Sequence, residues 1–545
     1  MISFKYLVTA ALPYVNNEPH LGNFIGSLLP ADVYARYLKM SGHECIYVCG
    51  SDEYGTTTEM KASAEHITPK ELTDRNYKIV NEGYRHMGCR PDIFSRTSNP
   101  AHTRIVQGIY ERVRDNGYTY EKEIEQLYCE TDRRFLADRF VEGTCPHCGY
   151  ARAKGDQCES CGKVLEPTEL VGPKCTLCGN APVRRRSSHV FFALSKLTPE
   201  LYVFVEKQDW FASAKNFALS WIKEGLEDID IQRDIKWGVP IPEKESGVLY
   251  SWFDAPIGYI TFSEELGKEQ WWHDRDTRLV HFIGKDNIAF HTMFFPGILM
   301  AAGGYILPWK VASYEFLNWE EGEKFSKSRG IGLTVPQAAE LYPADYWRYY
   351  LLTILTEKKD TNFSWDDFQG KVNVDLNDTI GNFVHRTLMF ADRFYEGKVP
   401  EPGSMTRQDE AALEAIKATA DAVASSIESI SLRDALVQAV DLARLGNQYI
   451  QGEAPWANEE RKPAVVYVAL NMVQALSIIL APFIPESAAK VRHMLNSGAV
   501  PVWTAATEGI KHGQQLGKPV PLFSKITDAE IEEHKRRYGK VGAQQ

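Results

Sequence analysis

In Pro19-His20-Leu21-Gly22-Asn23, His20 and Asn23 lie three residues apart, so a helix starting there carries both side chains on one face. About 300 residues later, Lys324-Phe325-Ser326-Lys327-Ser328 sets two lysines among hydroxyls, with Gly322 and Gly330 on either side. A helix N-terminus offers free N–H groups and a positive dipole end, which suits phosphate, and the side chains at i and i+3 add directed donors. Gly22 leaves room for a flat base against the backbone. A Gly-flanked loop with two lysines can close on a polyphosphate and stabilise the charge that develops as pyrophosphate leaves. Each motif alone also fits a bland role, a capped turn or a solvated loop. Together they read as two halves of a triphosphate clamp.

The cysteines carry a second chemistry. Seven of the ten fall between Cys129 and Cys178, a clustering that reads as metal ligation before disulfides in a cytosolic-looking chain. Cys145-x2-Cys148 and Cys158-x2-Cys161 have the spacing of a tetrahedral zinc knuckle, and Gly149 and Gly162 follow the pairs where tight turns are needed. Cys175-x2-Cys178 needs partners, and Cys129 with Asp132 could supply them, since zinc accepts carboxylate oxygen. That second set is either another zinc site or a reduced, metal-free loop.

The clamp has to be placed by a sheet. Residues 3–9 alternate into a strand, 31–40 have helical periodicity, Gly42 stops that helix and Ile46–Cys49 is a second strand, a β-α-β unit of a parallel, doubly wound sheet. Ligands in such sheets sit at the strand carboxyl ends, where Tyr14, His20, Asp52 and Glu53 fall. A second block resumes near residue 248, with a strand at 279–283 and a helix over 288–301, so the cysteine-rich stretch is an insertion splitting one nucleotide-binding domain. Past residue 373 helical spacing dominates (Leu413, Ile416, Ala420, Val423, Ile427; then Leu432, Leu436, Val440), and 463–482 is another apolar-periodic helix: an all-α bundle. From Lys525 onward a charged surface helix and a frayed end are expected.

With 545 residues, three or four domains are expected. No run approaches the roughly 18 uninterrupted apolar residues of a membrane span, and the apolar start fits a buried strand better than a signal peptide, so a cytoplasmic protein off the membrane is expected. The net charge of −11 argues against wholesale coating of nucleic acid but not against a local basic face.

The order of the two motifs on a split Rossmann-like domain resembles the class I aminoacyl-tRNA synthetases. By that resemblance Pro13, His20, Gly22 and Asn23 and the Lys324–Ser328 loop (Phe325, Ser326 and Ser328 included) bind ATP, which comes with Mg2+, and Lys327 with Lys324 stabilises the adenylation transition state. Asn23 stands where many members have a second histidine; an amide can still donate. Three more segments, Ala11-Leu12-Pro13-Tyr14, Ser251–Tyr259 and Gly284–His291, are similar to signatures of the methionyl-tRNA synthetases. The implied activity joins L-methionine to ATP, giving methionyl-adenylate and pyrophosphate, and then moves methionine to the 3′ end of tRNA(Met) for initiation and elongation. A thioether lies favourably against aromatic rings. Tyr14, Trp252, Tyr259 and His291 are expected to form such a pocket, with Ala11, Leu12, Ala255 and Pro256 completing its walls and Asp52 as the partner of the α-ammonium; without the flanking motifs Trp252 and Tyr259 would read as ordinary core aromatics. Asn287 replaces the aliphatic residue of some members, and Asp132 stands where relatives with two zincs have cysteine.

The resemblance also divides the chain: first catalytic half 1–115, connective insertion with zinc knuckles 116–232, second catalytic half 233–322, signature-loop and stem-contact region 323–372, anticodon-binding bundle 373–530 and tail 531–545. In the bundle Asn382, Arg386 (i, i+4) and Trp456 match the family's anticodon-reading residues, and single-stranded bases are read by stacking and by hydrogen bonds to exposed edges. Arg184-Arg185-Arg186 either touches the acceptor stem or is a solvated patch. The alternatives are a class I synthetase for leucine, isoleucine or valine, which needs room for a large editing insertion, and a non-catalytic zinc-bearing RNA-binding derivative, which has no physical reason to keep His20, Asn23, Lys324 and Lys327. A monomer is expected.

Overall fold

The computed structural model describes residues 4–155, 158, 160, 161, 163, 165–325, 331–498 and 500–538. Ser326, Lys327 and Ser328 of the second motif, and Gly162 beside the knuckle, lie outside the described residues. The principal strands are β1 (Lys5–Ala10), β2 (Glu44–Ser51) and β3 (Ile93–Arg96), then β4 (Thr119–Cys129) and β5 (Val183–Phe192) in the insertion, then β6 (Thr277–Gly284) and β7 (Pro308–Tyr314). The central sheet is parallel throughout, in the order β7-β6-β1-β2-β3. β1 does not alternate: Tyr6 to Ala10 are all buried, because a central parallel strand is covered on both faces. The winding reverses between β1 and β6, which opens a crevice at their carboxyl ends.

The helix that starts after His20 runs through Leu21–Asn23 and a π-helical turn, Phe24–Leu28, into α1 (Leu29–Met40). The antiparallel β4–β5 ladder pairs Thr119 with Phe192 through to Tyr128 with Val183. Its arginine triplet is committed across the strands: Arg184 pairs with Glu125, Arg185 with Glu130 and Arg186 with Glu123, and Arg185 also stacks over Tyr128. Where the insertion rejoins the catalytic half, buried His189 bridges Asp230 (2.7 Å) and Asp234 (3.0 Å). Burial lowers its pKa, but the two carboxylates outweigh that and raise it to about 9, so the link is ionic at neutral pH.

The second half is helical: α2 (Ala212–Glu224) closes the insertion, α3 (Ala344–Thr353) follows the signature loop, and α4 (Asn382–Tyr395), α5 (Arg407–Glu428), α6 (Leu432–Glu453), α7 (Lys462–Ile479) and α8 (Pro485–Met494) build the bundle. α7 has the length and composition of a membrane span, but 83% of it is buried and it is the bundle's central helix. No linker stands at the expected 372/373 boundary. Trp365–Gly370, the π-helical stretch Lys371–Gly381 and α4 run on as one continuous helix, because nothing in that stretch breaks the helical backbone. Fully buried Arg348 on α3 locks the halves, binding Asp32 of α1 at 2.8 Å and the carbonyls of Pro482 (2.9 Å) and Phe483 (2.8 Å) ahead of α8.

The C-terminal helix α9 (Asp528–Tyr538) spans the expected 530/531 boundary and is not a free surface helix. Its buried face, Ile531 and Tyr538, turns back toward Trp319 and Trp365. The Trp319 indole donates to the Tyr538 carbonyl (3.1 Å), and the His534 ring packs 5.0 Å from that of Trp365. Charged periodicity showed only its outer side.

Candidate functional site

The crevice at the switch point is built from three turns. β1 runs on into Ala11–Tyr14, and Asp52 follows β2. The Asp52 N–H donates to the Pro13 carbonyl (2.9 Å) and the Val15 N–H to the Asp52 carbonyl (3.2 Å), so the two strand ends are stitched together. His20 caps the next helix in extended conformation, and its own N–H donates to Asn23 Oδ1 at 3.1 Å. Asn23 thus uses its oxygen to cap and keeps its amide N–H2 as a donor. Gly22 serves a purpose other than the expected one. A Cβ there would lie 2.9 Å from the His20 imidazole, so the space over Gly22 is taken by that ring rather than by a base.

The two motifs meet. His20 stacks on Phe325 (centroids 4.5 Å, planes 10° apart), and Phe325 crosses Gly332, where any Cβ would collide with it at 2.3 Å. Beyond the loop the chain returns to the first motif: the Leu21 N–H donates to Leu333 and the Val335 N–H to Pro19 (3.2 and 2.7 Å). The His20 Nδ1 is buried and has no partner among the described residues, and burial lowers its pKa to about 4. His20 is therefore neutral at physiological pH, and its imidazole can offer an anion a hydrogen-bond donor rather than a positive charge. The cavity beside it, about 260 Å³, is walled by Pro13, Gly22, Asn23, Lys324 and Phe325 together with Asp286 and Asn318. Asp286 was not singled out, although it follows β6 at the switch point, the position that the strand order makes functional.

A smaller pocket of about 40 Å³ gathers Leu12, Tyr14, Asp52, Trp252, Ala255, Pro256, Tyr259 and His291. Ala11 lines the larger cavity instead. Phe290 and Asn287 join the small pocket, and the Phe290 ring meets Trp252 edge-on at 4.6 Å. Phe290 directly precedes His291, and the π-helical turn Phe290–Phe294, which rotates less per residue than an α-helix, carries both to the pocket. The polar floor has one arrangement. His291 Nδ1 lies 3.0 Å from the Asn287 carbonyl, which can only accept, so Nδ1 carries the proton; Nε2 then accepts from the Tyr259 hydroxyl at 2.9 Å. Burial keeps His291 neutral, with a pKa of about 4.

Asp52 is 4% exposed and its Oδ1 has no partner among the described residues. Burial, with the Asp254 and Glu53 charges nearby, pushes its pKa far above the usual carboxylate value. Such a group keeps its proton unless a cation comes close enough to favour the charged form. A third cleft, about 610 Å³, adjoins both cavities; Tyr14, Trp252 and Phe290 form one wall, and Phe217 and Trp221 of α2, stacked at 5.2 Å, form the other.

In the insertion Cys145, Cys148, Cys158 and Cys161 place their sulfurs within 4.8 Å of one another, and Cys129, Asp132, Cys175 and Cys178 do the same with one carboxylate oxygen. The Sγ–Sγ separations of 3.9 Å (Cys145–Cys161), 3.6 Å (Cys148–Cys158) and 3.4 Å (Cys129–Cys178) fit the edges of a tetrahedron about a metal with bonds of about 2.3 Å. Asp132 Oδ2 lies 3.1 Å from Cys129 and 3.0 Å from Cys175. Both sets fit zinc.

On the bundle, Asn382 and Arg386 of α4 line an open groove with Arg444, Asn447 and Gln451 of α6. Trp456 is 46% exposed; the Arg386 guanidinium is 5.8 Å from its ring centre, and Phe390 stacks nearby at 6.4 Å. Phe390, one helical turn after Arg386, was also missed.

A switch-point crevice closed by a His20–Phe325 stack, with a zinc-ligand insertion and a helical bundle behind it, defines a class I aminoacyl-tRNA synthetase. The family model for class I tRNA synthetases (M) matches residues 6–388, and that for the anticodon-binding domain of methionyl-tRNA ligase matches 399–543. The methionine–tRNA ligases of Caldivirga maquilingensis and Thermofilum pendens are each 42% identical over 97% of this chain, covering 92% and 96% of their own lengths. A Mycobacterium tuberculosis methionyl-tRNA synthetase solved with methionyl-adenylate superposes with a TM-score of 0.80 at 25% identity, over 95% of this chain and 99% of that one. The chain belongs to the methionine–tRNA ligase family.

Proposed function

We propose that this chain makes methionyl-tRNA in two steps on the surfaces described above, and the observation that carries this is the junction of three cavities at one switch point. The methionine side chain enters the Trp252–Tyr259–His291 pocket and its ammonium pairs with Asp52. ATP, with its Mg2+, lies in the cavity of His20, Asn23 and Lys324. A carboxylate oxygen of methionine attacks the α-phosphorus and the bond to pyrophosphate breaks. His20 and Asn23 donate to the phosphates from a fixed helix start, and Lys324 and Lys327 oppose the charge that builds on the leaving group. The 3′-terminal ribose hydroxyl of tRNA(Met), entering through the Phe217–Trp221 cleft, then attacks the carbonyl carbon and AMP leaves. Ten cysteines without a disulfide, seven of them in metal-ligand sets, suit a reducing, cytoplasmic setting.

ATP–pyrophosphate exchange with each of the twenty amino acids tests the assignment: methionine alone should support it, and exchange with leucine, isoleucine or valine at a comparable rate would overturn it. Trp456→Ala should leave this exchange intact and lower tRNA charging by about 5- to 150-fold, since an aromatic stack on a base contributes roughly 1–3 kcal/mol. Loss of both activities would make Trp456 a packing residue.

Both cysteine sets hold structural zinc, with all four positions filled by protein. Metal analysis should give two zinc ions per chain, and Asp132→Ala should reduce the second alone. One zinc in the unaltered protein would leave Cys129, Asp132, Cys175 and Cys178 as a reduced, metal-free loop.

A further inference from the structure

Trp456 stands on the turn between α6 and α7, and the geometry of that turn is held by one side chain. α6 ends at Glu453, Ala454 takes the left-handed conformation (φ 43°), and the Ala457 N–H closes on the Ala454 carbonyl at 2.8 Å, a turn that buries Pro455 and leaves Trp456 exposed. Left-handed backbone at a residue with a Cβ costs free energy, so this shape needs support from outside the turn. Arg461, the last residue before α7, supplies it. Its guanidinium spans the turn, with Nη2 and Nε on Glu453 Oε2 (2.7 and 3.2 Å), and the same Nη2 reaches Asp409 Oδ1 of α5 at 2.8 Å. Asp409 is fully buried and receives the Tyr449 hydroxyl of α6 and the Thr406 N–H, so the anchor is itself held from two sides. Entry, exit and a neighbouring helix therefore meet at one planar fork, a geometry an ammonium cannot reproduce.

We propose that Arg461 is a positioning residue for tRNA: through the Glu453–Arg461–Asp409 bridge it sets the height and tilt of the Trp456 ring against Arg386, and so the stacking of an anticodon base. This rests on the reading of Trp456 given above. Arg461 touches no substrate in this scheme, and α5, α6 and α7 pack through their apolar faces without it.

The test is steady-state charging of tRNA(Met), and of a transcript with one anticodon base changed, by Arg461→Ala, Arg461→Lys and Glu453→Gln, with Trp456→Ala alongside. Arg461→Ala should raise KM for tRNA about tenfold with kcat within about twofold, narrow the preference for the correct anticodon and leave methionine-dependent exchange unchanged. Arg461→Lys should recover only part of the loss, and Glu453→Gln, which keeps the Asp409 contact, should follow Arg461→Ala in direction. If Arg461→Ala is insoluble, Glu453→Gln carries the test by itself. An unchanged KM and an unchanged anticodon preference in a folded variant would overturn the proposal, and so would a parallel fall of exchange and charging. If Trp456→Ala leaves charging untouched, the reading of Trp456 fails; if Trp456→Ala raises KM and the Arg461 and Glu453 variants do not, the bridge alone fails.

Discussion

His20→Ala should lower methionine-dependent ATP–pyrophosphate exchange by roughly 10²–10³-fold, the usual loss when one preorganised transition-state donor is removed. The imidazole lines the cavity and is held between Gly22 and Phe325. Its Nδ1 is buried and unpartnered, and its ring lies over the one residue that leaves room for it, Gly22. It is neutral, so the loss should be flat across pH 6–8: with a pKa of about 4, the ring does not titrate in that range. His20→Asn, which restores a donor, should recover part of the rate. Methionine affinity, measured by equilibrium binding, should be unchanged, because His20 lines the 260 Å³ cavity and not the small aromatic pocket. A variant as active as the parent would leave Phe325 stacking as the whole purpose of His20.

Asp52→Asn should have the second large effect, and in two opposite directions. Methionine activation should fall by at least about 30-fold, since removing one partner of a buried charge pair costs about 2–5 kcal/mol. The ligand-free protein should become more stable. Desolvation raises the Asp52 pKa in the folded state above its unfolded value, so the native state holds the proton more tightly than the unfolded one. Stability therefore falls as pH rises from the unfolded pKa, about 3.9, through the folded one, and the penalty is fully present above it. An amide carries no such penalty. Thermal melts at pH 7.5 should place Asp52→Asn above the parent without methionine and remove most of the stabilising shift that methionine gives the parent. A variant that melts lower in both states would mean that Asp52 supports the strand ends rather than the substrate.

The helices with a strong period, α1, α5, α6 and α7, lie where the apolar spacing puts them, and β1 and β2 lie where their apolar runs put them, although β1 is buried on both faces rather than alternating. What sequence spacing does not carry is continuity and docking. The run from Trp365 to Tyr395 reads as two regions because its composition changes midway, yet the backbone has no reason to stop there. α9 reads as a charged surface helix because seven of its eleven residues are Asp, Glu, Lys or Arg, while the two that dock, Ile531 and Tyr538, are too few to make a period.

By itself the sequence determined the chemistry: the ligand types at metal spacing, the donors at a helix start, the lysines in a Gly-flanked loop and the aromatic set around Trp252. These are local, because residue type and short spacing decide what a side chain can do. Only the tertiary structure decided how the parts meet: His20 against Phe325, Asp132 among three thiols, Phe290 on the pocket wall in a π-turn, and Arg461 joined to Asp409 of α5. Those contacts join residues tens to hundreds of positions apart, or hinge on one extra residue per helical turn. Neither is encoded in any window of sequence; both follow from packing a parallel sheet, an insertion and a bundle against one another.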